Sequence, residues 1–107
     1  MGDINQKIEQ LIQSKPVHIF MKGSPNEPQC GFSSRACQIL QASGVTADKL
    51  SHFDILSDQE MREAVKQYSE FFTYPQVYIK GQLVGGSDDL MELYESGQLK
   101  QMLEGVV

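Results

Sequence analysis

A chain of 107 residues with 40% apolar side chains is long enough to bury one core and too short for two, so a single domain over 1–107 is expected. Nine Lys and Arg against 14 Asp and Glu leave a net charge of −5, which argues against a nucleic-acid partner because phosphate binding needs clustered basic charge. With two cysteines, no signal-like apolar core and no apolar run long enough to cross a bilayer, the reading is a soluble protein of a reducing compartment with no membrane partner.

Ile4, Ile8, Leu11 and Ile12 recur at helical spacing among polar residues, with Asp3 as the expected N-cap, and Lys15-Pro16 ends that helix. Val17 to Met21 is a short apolar run rich in β-formers, followed by a loop punctuated by Gly23, Ser24, Pro25 and Pro28. From Cys30, the apolar positions Phe32, Ala36, Ile39 and Leu40 predict a second helix of about a dozen residues, closed near Ser43-Gly44 by a glycine suited to a left-handed C-cap. His52 to Leu56 is the next expected strand. Asp58 then caps a helix carrying Met61, Ala64, Val65 and Tyr68 on one face. Gln76–Ile79 and Gln82–Val84 read as a tight hairpin around Lys80-Gly81. Gly85-Gly86-Ser87-Asp88 leads into a last helical stretch through Leu90, Leu93, Tyr94, Leu99 and Leu103, with a break at Gly97. A β-α-β unit followed by a hairpin and a terminal helix gives an α/β protein. The expected architecture is a thioredoxin-like fold, with a four-stranded mixed sheet flanked by helices and an extra helix at the N-terminus.

Cys30-Gly31-Phe32-Ser33 stands at the junction of the first strand's loop and the second helix. A cysteine there faces unpaired backbone N–H groups and the positive end of the helix dipole, which stabilise its thiolate; Lys22 upstream adds a cation. Ser33 stands where a dithiol motif would carry a second cysteine, so Cys30 must act with another molecule or a metal. Cys37 lies two turns beyond Cys30, about 10 Å along an intact helix and too far for a local disulfide; a packed thiol is the favoured reading, with a resolving or glutathionylated thiol as the alternative. Zinc held by Cys30, Cys37, His18 and His52 has suitable ligand types, but the spacing matches no zinc motif and none is expected.

Three further segments carry two readings each. X-Pro bonds in folded proteins are mostly trans, so the sequence by itself favours a trans turn at Pro75, while a cis bond would turn the backbone of Tyr74 towards a ligand. Gly85-Gly86-Ser87-Asp88 either offers N–H groups to an anion and Asp88 to an ammonium, or is a plain cap made by Ser87 or Asp88; taken alone, the plain cap is favoured. Arg62 and Lys66, one turn apart, either bind a carboxylate or form a solvated face, and the solvated face is favoured in isolation.

Taken together, Met21-Lys22-Gly23, Cys30-Gly31-Phe32-Ser33, Arg62, Thr73-Tyr74-Pro75-Gln76 and Gly85-Gly86-Ser87-Asp88 closely resemble the CGFS-type monothiol glutaredoxins, in order and in spacing, over about residues 4 to 104. The resemblance implies glutathione bound beside Cys30. Lys22 and Arg62 would meet its glycyl carboxylate, the Tyr74 backbone before a cis Pro75 its cysteinyl backbone, and Ser87 and Asp88 its γ-glutamyl end, with Thr73 and Gly86 also among the binding residues. It also implies a labile two-iron two-sulfur cluster at a homodimer interface, with Cys30 as the metal ligand of each subunit and each glutathione giving another thiolate. The apo protein would be a monomer. The implied role is cluster transfer and iron and redox homeostasis, with a BolA-like protein and apo iron–sulfur proteins as partners. The alternative is an enzyme, a glutathione-dependent thiol oxidoreductase that deglutathionylates proteins through Cys30. The compartment implied is the cytoplasm, or a mitochondrial or plastid matrix if a transit peptide has been removed. Two departures stand out: Phe71-Phe72 occupy the place of the usual Trp-Pro, and Ser87 replaces a frequent cysteine.

Overall fold

The computed structural model describes residues 2–107. Its first strand, β1 (Val17–Met21), is buried at every position, as expected of a central strand covered on both faces. β1 pairs in parallel with β2 (Leu50–Asp54) and antiparallel with β3 (Gln76–Ile79), which pairs antiparallel with β4 (Gln82–Gly85). The order is β2-β1-β3-β4. Helices α1 (Gly2–Gln13), α2 (Gly31–Ala42), α3 (Gln59–Ser69), α4 (Ser87–Ser96) and α5 (Gln98–Met102) complete the fold. This mixed sheet between helical layers, with α1 added in front, is the thioredoxin-like arrangement that the element order predicted.

Alternation along β1 divides the interior in two. Val17, Ile19 and Met21 pack with Ala36, Leu40, Leu90, Leu99 and Leu103 from α2, α4 and the C-terminal segment. Phe20 joins Ile8, Ile12, Met61, Val65, Tyr74 and Tyr78 on the α1 and α3 side. Tyr68 and Phe32, read as apolar-face residues, are exposed instead, 38% and 57%.

Several boundaries differ from expectation for local reasons. Asp3 lies inside the first turn of α1 rather than capping it; a carboxylate there still complements the helix dipole. β2 runs two residues earlier than His52 to Leu56, because a 3-10 turn at Ala47–Lys49 delivers the chain to the sheet edge at Leu50. The chain leaves the sheet after Asp54, whose Oδ1 accepts from Leu56 N–H and from Gly23 N–H, both at 2.9 Å. Asp58 caps α3 as predicted, accepting from Met61 N–H at 3.1 Å. The hairpin turn at Lys80-Gly81 has both residues at positive φ, 53° and 83°, which matches the twist of the two strands it joins. Gly97, at φ 86°, separates α4 from α5.

His18, on the β1 face shared with Phe20, is completely buried. Its Nδ1 lies 2.6 Å from Ser51 Oγ, and its Nε2 has no partner among the described residues. Burial, reinforced by nearby His52, lowers its pKa to about 4. An unfolded histidine titrates near 6.5, so as the pH falls from 6.5 towards 4 the unfolded chain takes up a proton that the native chain refuses, and stability drops. The loss at pH 4 is on the order of 3 kcal/mol relative to pH 7. Denaturant unfolding of the wild type and His18→Leu at both pH values should show that extra acid sensitivity in the wild type alone. An equal pH dependence in the two proteins would refute a neutral buried His18.

Candidate functional site

The parallel crossover from β1 to β2 places the start of α2 at the C-terminal end of β1, where ligands of open α/β sheets bind. Cys30 is the N-cap of α2, in extended conformation at φ −156° and ψ 139°. Its thiol is partly exposed and is held below the usual thiol range. The Ser33 N–H contributes most, followed among the stabilising effects by the Phe32 N–H, the Lys22 ammonium and the Ser33 hydroxyl, while partial burial works against them. These are the unpaired donors of a helix's first turn acting on an anion.

Ser33 is fully buried. Its Oγ accepts from the Lys22 N–H at 3.1 Å, which joins the first turn of α2 to the end of β1. The lengthened loop between them is closed by Gln29 N–H donating to Lys22 O at 2.9 Å and by a Gly23–Pro28 bridge. Gly23 stands at φ 91°, and a Cβ there would lie 2.4 Å from Glu27 O, so only glycine fits the closure. Cys37 is buried and its S–H points to Met21 Sδ at 3.7 Å. Burial pushes that thiol up to about 11, so it packs as a small apolar side chain, as expected.

At Phe32, two residues past Cys30, opens a groove of about 230 Å³. It is lined by Phe32 of α2, by Phe71, Thr73, Tyr74 and Pro75 from the segment before β3, and by Gly86 to Asp89 at the start of α4. The Tyr74-Pro75 bond is cis, contrary to the general preference of X-Pro bonds and in keeping with the family resemblance. The cap of α4 also differs from the plain reading: Gly86 is the N-cap, and Asp89, not Ser87 or Asp88, accepts from the Gly86 N–H at 3.0 Å. A Cβ on Gly86 would approach Pro75 O to 3.3 Å, so its absence lets the Pro75 segment and the start of α4 meet. Ser87 is buried, and its Oγ has no hydrogen-bond partner among the described residues. A buried hydroxyl without a partner costs free energy that a bound polar group would return.

The structure therefore brings Thr73, Tyr74, Pro75, Gly86, Ser87 and Asp88 into one groove with Phe32, two residues past Cys30, and Lys22 acts on the thiol. Arg62 is not part of the groove wall. It lies on α3, where its carbonyl accepts from Tyr74 OH at 2.7 Å. Asp88 is highly exposed and pairs with Arg35 of α2 at 3.2 Å, a contact the sequence reading did not foresee. Two other residues it passed over are Asp89, whose signal was its place three residues after Gly86, and Phe32, whose ring covers the groove rather than the core. No cluster of three or more His, Cys, Asp or Glu among the described residues suits a metal ion.

Comparison with known proteins agrees with this geometry. The family model described as Glutaredoxin matches residues 17–84. Glutaredoxin 3 of Danio rerio is 52% identical over 98 residues, 92% of this chain but 29% of that protein. The mitochondrial monothiol glutaredoxin-5 of Schizosaccharomyces pombe is 45% identical over 101 residues, covering 94% of this chain and 69% of that one. Among solved structures, a buckwheat glutaredoxin–glutathione complex aligns with a TM-score of 0.84 at 27% identity, over 99% of this chain and 94% of that one. The chain belongs to the glutaredoxin family, in its monothiol class. It spans less than a third of the zebrafish relative and about two thirds of the fission-yeast one.

The two thiols should separate cleanly in labelling. At pH 7 the native protein should take up one equivalent of a thiol reagent quickly, at Cys30, and a second only on unfolding; fast labelling of both would contradict a packed Cys37. Lys22→Ala should raise the Cys30 pKa, read from thiolate absorbance against pH, because it removes the nearest cation and leaves the helix N–H groups in place.

Proposed function

We propose that this chain binds glutathione in the groove beside Cys30 and carries a labile two-iron two-sulfur cluster as cargo, passing it to apo iron–sulfur proteins. The observation that carries the reading is the contrast between its two cysteines. One is a partly exposed thiol biased towards thiolate at a helix start, and the other is buried and held protonated. A four-thiolate cluster needs more than one chain supplies. Two copies and two glutathiones complete the set, and half of those ligands are diffusible, which suits release rather than storage. The apo chain is then a monomer and the loaded form a homodimer. A BolA-like protein is the further partner that the family suggests, in the cytoplasm or an organelle matrix.

The groove supports the ligand. Glutathione is an extended tripeptide with two carboxylates and one ammonium. The first-turn N–H groups of α4 and the unpaired Ser87 hydroxyl suit the γ-glutamyl carboxylate, and Asp88 suits the ammonium. The Asp88–Arg35 pair is exposed and therefore weak, so exchanging it for a ligand ammonium costs little. Lys22 and Arg62 are assigned the glycyl carboxylate; neither lines the groove, and Lys22 has the firmer support because its ammonium acts on the Cys30 thiol.

The depressed Cys30 thiol also suits a second reading, glutathione-dependent thiol oxidoreductase. In that chemistry the thiolate attacks the glutathione sulfur of a protein mixed disulfide and expels the protein thiolate. A second glutathione thiolate then attacks the Cys30–glutathione disulfide, giving oxidised glutathione and free Cys30. Ser33 cannot resolve the intermediate, so this route depends wholly on the external thiol.

Anaerobic reconstitution with iron, sulfide and glutathione, read by visible absorption and native mass, separates the two. The cluster reading expects a coloured dimer of about twice 12.0 kDa, lost in Cys30→Ser or without glutathione and kept in Cys37→Ser. A colourless monomer that turns over glutathionylated substrate would favour the oxidoreductase. Calorimetric titration of glutathione should show Lys22→Ala weakening binding by about 1–3 kcal/mol, the range of a charge-assisted hydrogen bond. Wild-type affinity in that variant would withdraw Lys22 from the site.

A further inference from the structure

Between α3 and β3 the chain crosses Phe71 to Tyr74 without a strand or helix of its own, yet this stretch supplies Phe71, Thr73 and Tyr74 to the groove. Its main chain is held by side chains. Phe71 N–H donates to Ser69 Oγ at 3.2 Å. Phe71 O accepts from Gln76 Nε2 at 2.7 Å, and Thr73 O lies 3.5 Å from the same amide. Gln76 Oε1 in turn accepts from Tyr78 OH at 3.0 Å. Gln76 is completely buried, opposite Phe20 on a face of the sheet that is otherwise mostly apolar.

A carboxamide is the one side chain of that length with an acceptor for the phenol and a donor for the carbonyls at once. An apolar replacement of equal size would leave Tyr78 OH without its partner in the interior and Phe71 O with only the longer 3.3 Å bond from Ser69 Oγ. Buried polar groups satisfied in this way specify one arrangement among many that an apolar core would tolerate.

We propose that Gln76 is a positioning residue for the groove. Its amide, oriented by Tyr78, sets where the Phe71–Thr73 main chain stands and so sets the part of the groove lining that receives the tripeptide. The role rests on the glutathione reading above for its ligand, and on the hydrogen bonds alone for the order of the loop. A loop without ladder bonds takes its precision from such supporting contacts, and a displacement of about 1 Å there is enough to spoil a binding constellation.

The test compares Gln76→Met, Tyr78→Phe and Ile12→Ala, the last opening a cavity in the same core away from the groove. Glutathione affinity is read by calorimetry, loop order by hydrogen exchange of the Phe71 to Tyr74 amides, and stability by Tm. Gln76→Met should weaken glutathione at least tenfold and accelerate exchange of the loop amides selectively. Tyr78→Phe should shift both in the same direction by less, and should add little in the Gln76→Met background, because the two side chains act through one amide. Ile12→Ala should lower Tm while leaving affinity within about twofold and loop exchange no faster than that of the rest of the chain. Unchanged affinity and exchange in Gln76→Met, or matching changes in Ile12→Ala, would overturn the proposal. If Gln76→Met does not fold, Tyr78→Phe carries the same readouts. If the wild type binds no glutathione, the functional reading fails, while loop exchange still decides the role of Gln76.

Discussion

The hydrogen bond from Lys22 N–H to Ser33 Oγ joins the end of the central strand to the first turn of α2, and the site is built around that junction. It is partly buried, with Ser33 fully enclosed, so breaking it would leave a polar group unpaired at the edge of the interior. It fixes the direction in which the helix N-terminus opens, and hence where the Phe32 and Ser33 N–H groups meet the Cys30 sulfur. In a dithiol relative this place belongs to a second sulfur. Here a hydroxyl makes the position structural, and the neighbouring thiol is left to find its partner outside the chain.

The rest of the site comes from three elements that meet without belonging to one motif. The Phe71–Pro75 segment enters from α3, the Gly86 turn from the edge strand β4, and Cys30 from the β1 crossover. Their meeting depends on close backbone approach at Gly86, where a side chain would press on Pro75 O. Polar groups left open at this junction, Ser87 Oγ above all, are what make the groove receptive. Those closed elsewhere, such as Gln76 with Phe71 and Tyr74 with Arg62, make it rigid. Arg35 and Asp88 form an exposed pair at its rim, which a ligand bearing both charges can replace at little cost.

Burying polar side chains in a small core has a thermodynamic side. Tyr78, with its hydroxyl in the Gln76 network, has its phenol pushed up to about 12 mainly by burial and so stays a neutral donor throughout the physiological range. His18 has only one of its two nitrogens satisfied, and its burial trades acid stability for the packing of Phe20 against its ring at 4.5 Å. The structure offers no compensating bond for Nε2 among the described residues.

Periodicity and punctuation determined the elements. The short apolar run Val17–Met21 marked a strand, Asp58 marked the start of α3, and Lys80-Gly81 marked the hairpin, because each is a local preference that the tertiary structure had no reason to override. Cys30 was legible for the same reason, since a helix N-terminus acts on its own first residues. The groove was legible only as scattered fragments whose order and spacing matched a family. Asp89 as the cap of α4 is a local contact over three residues that the sequence reading passed over, whereas the Asp88–Arg35 pair and the place of Phe32 in the groove lining were decided by proximity between elements far apart in the chain. The Gln76 network, although its partners lie within five residues, forms only because the fold buries that amide, and local propensity carries no information about which backbone group a buried donor will meet.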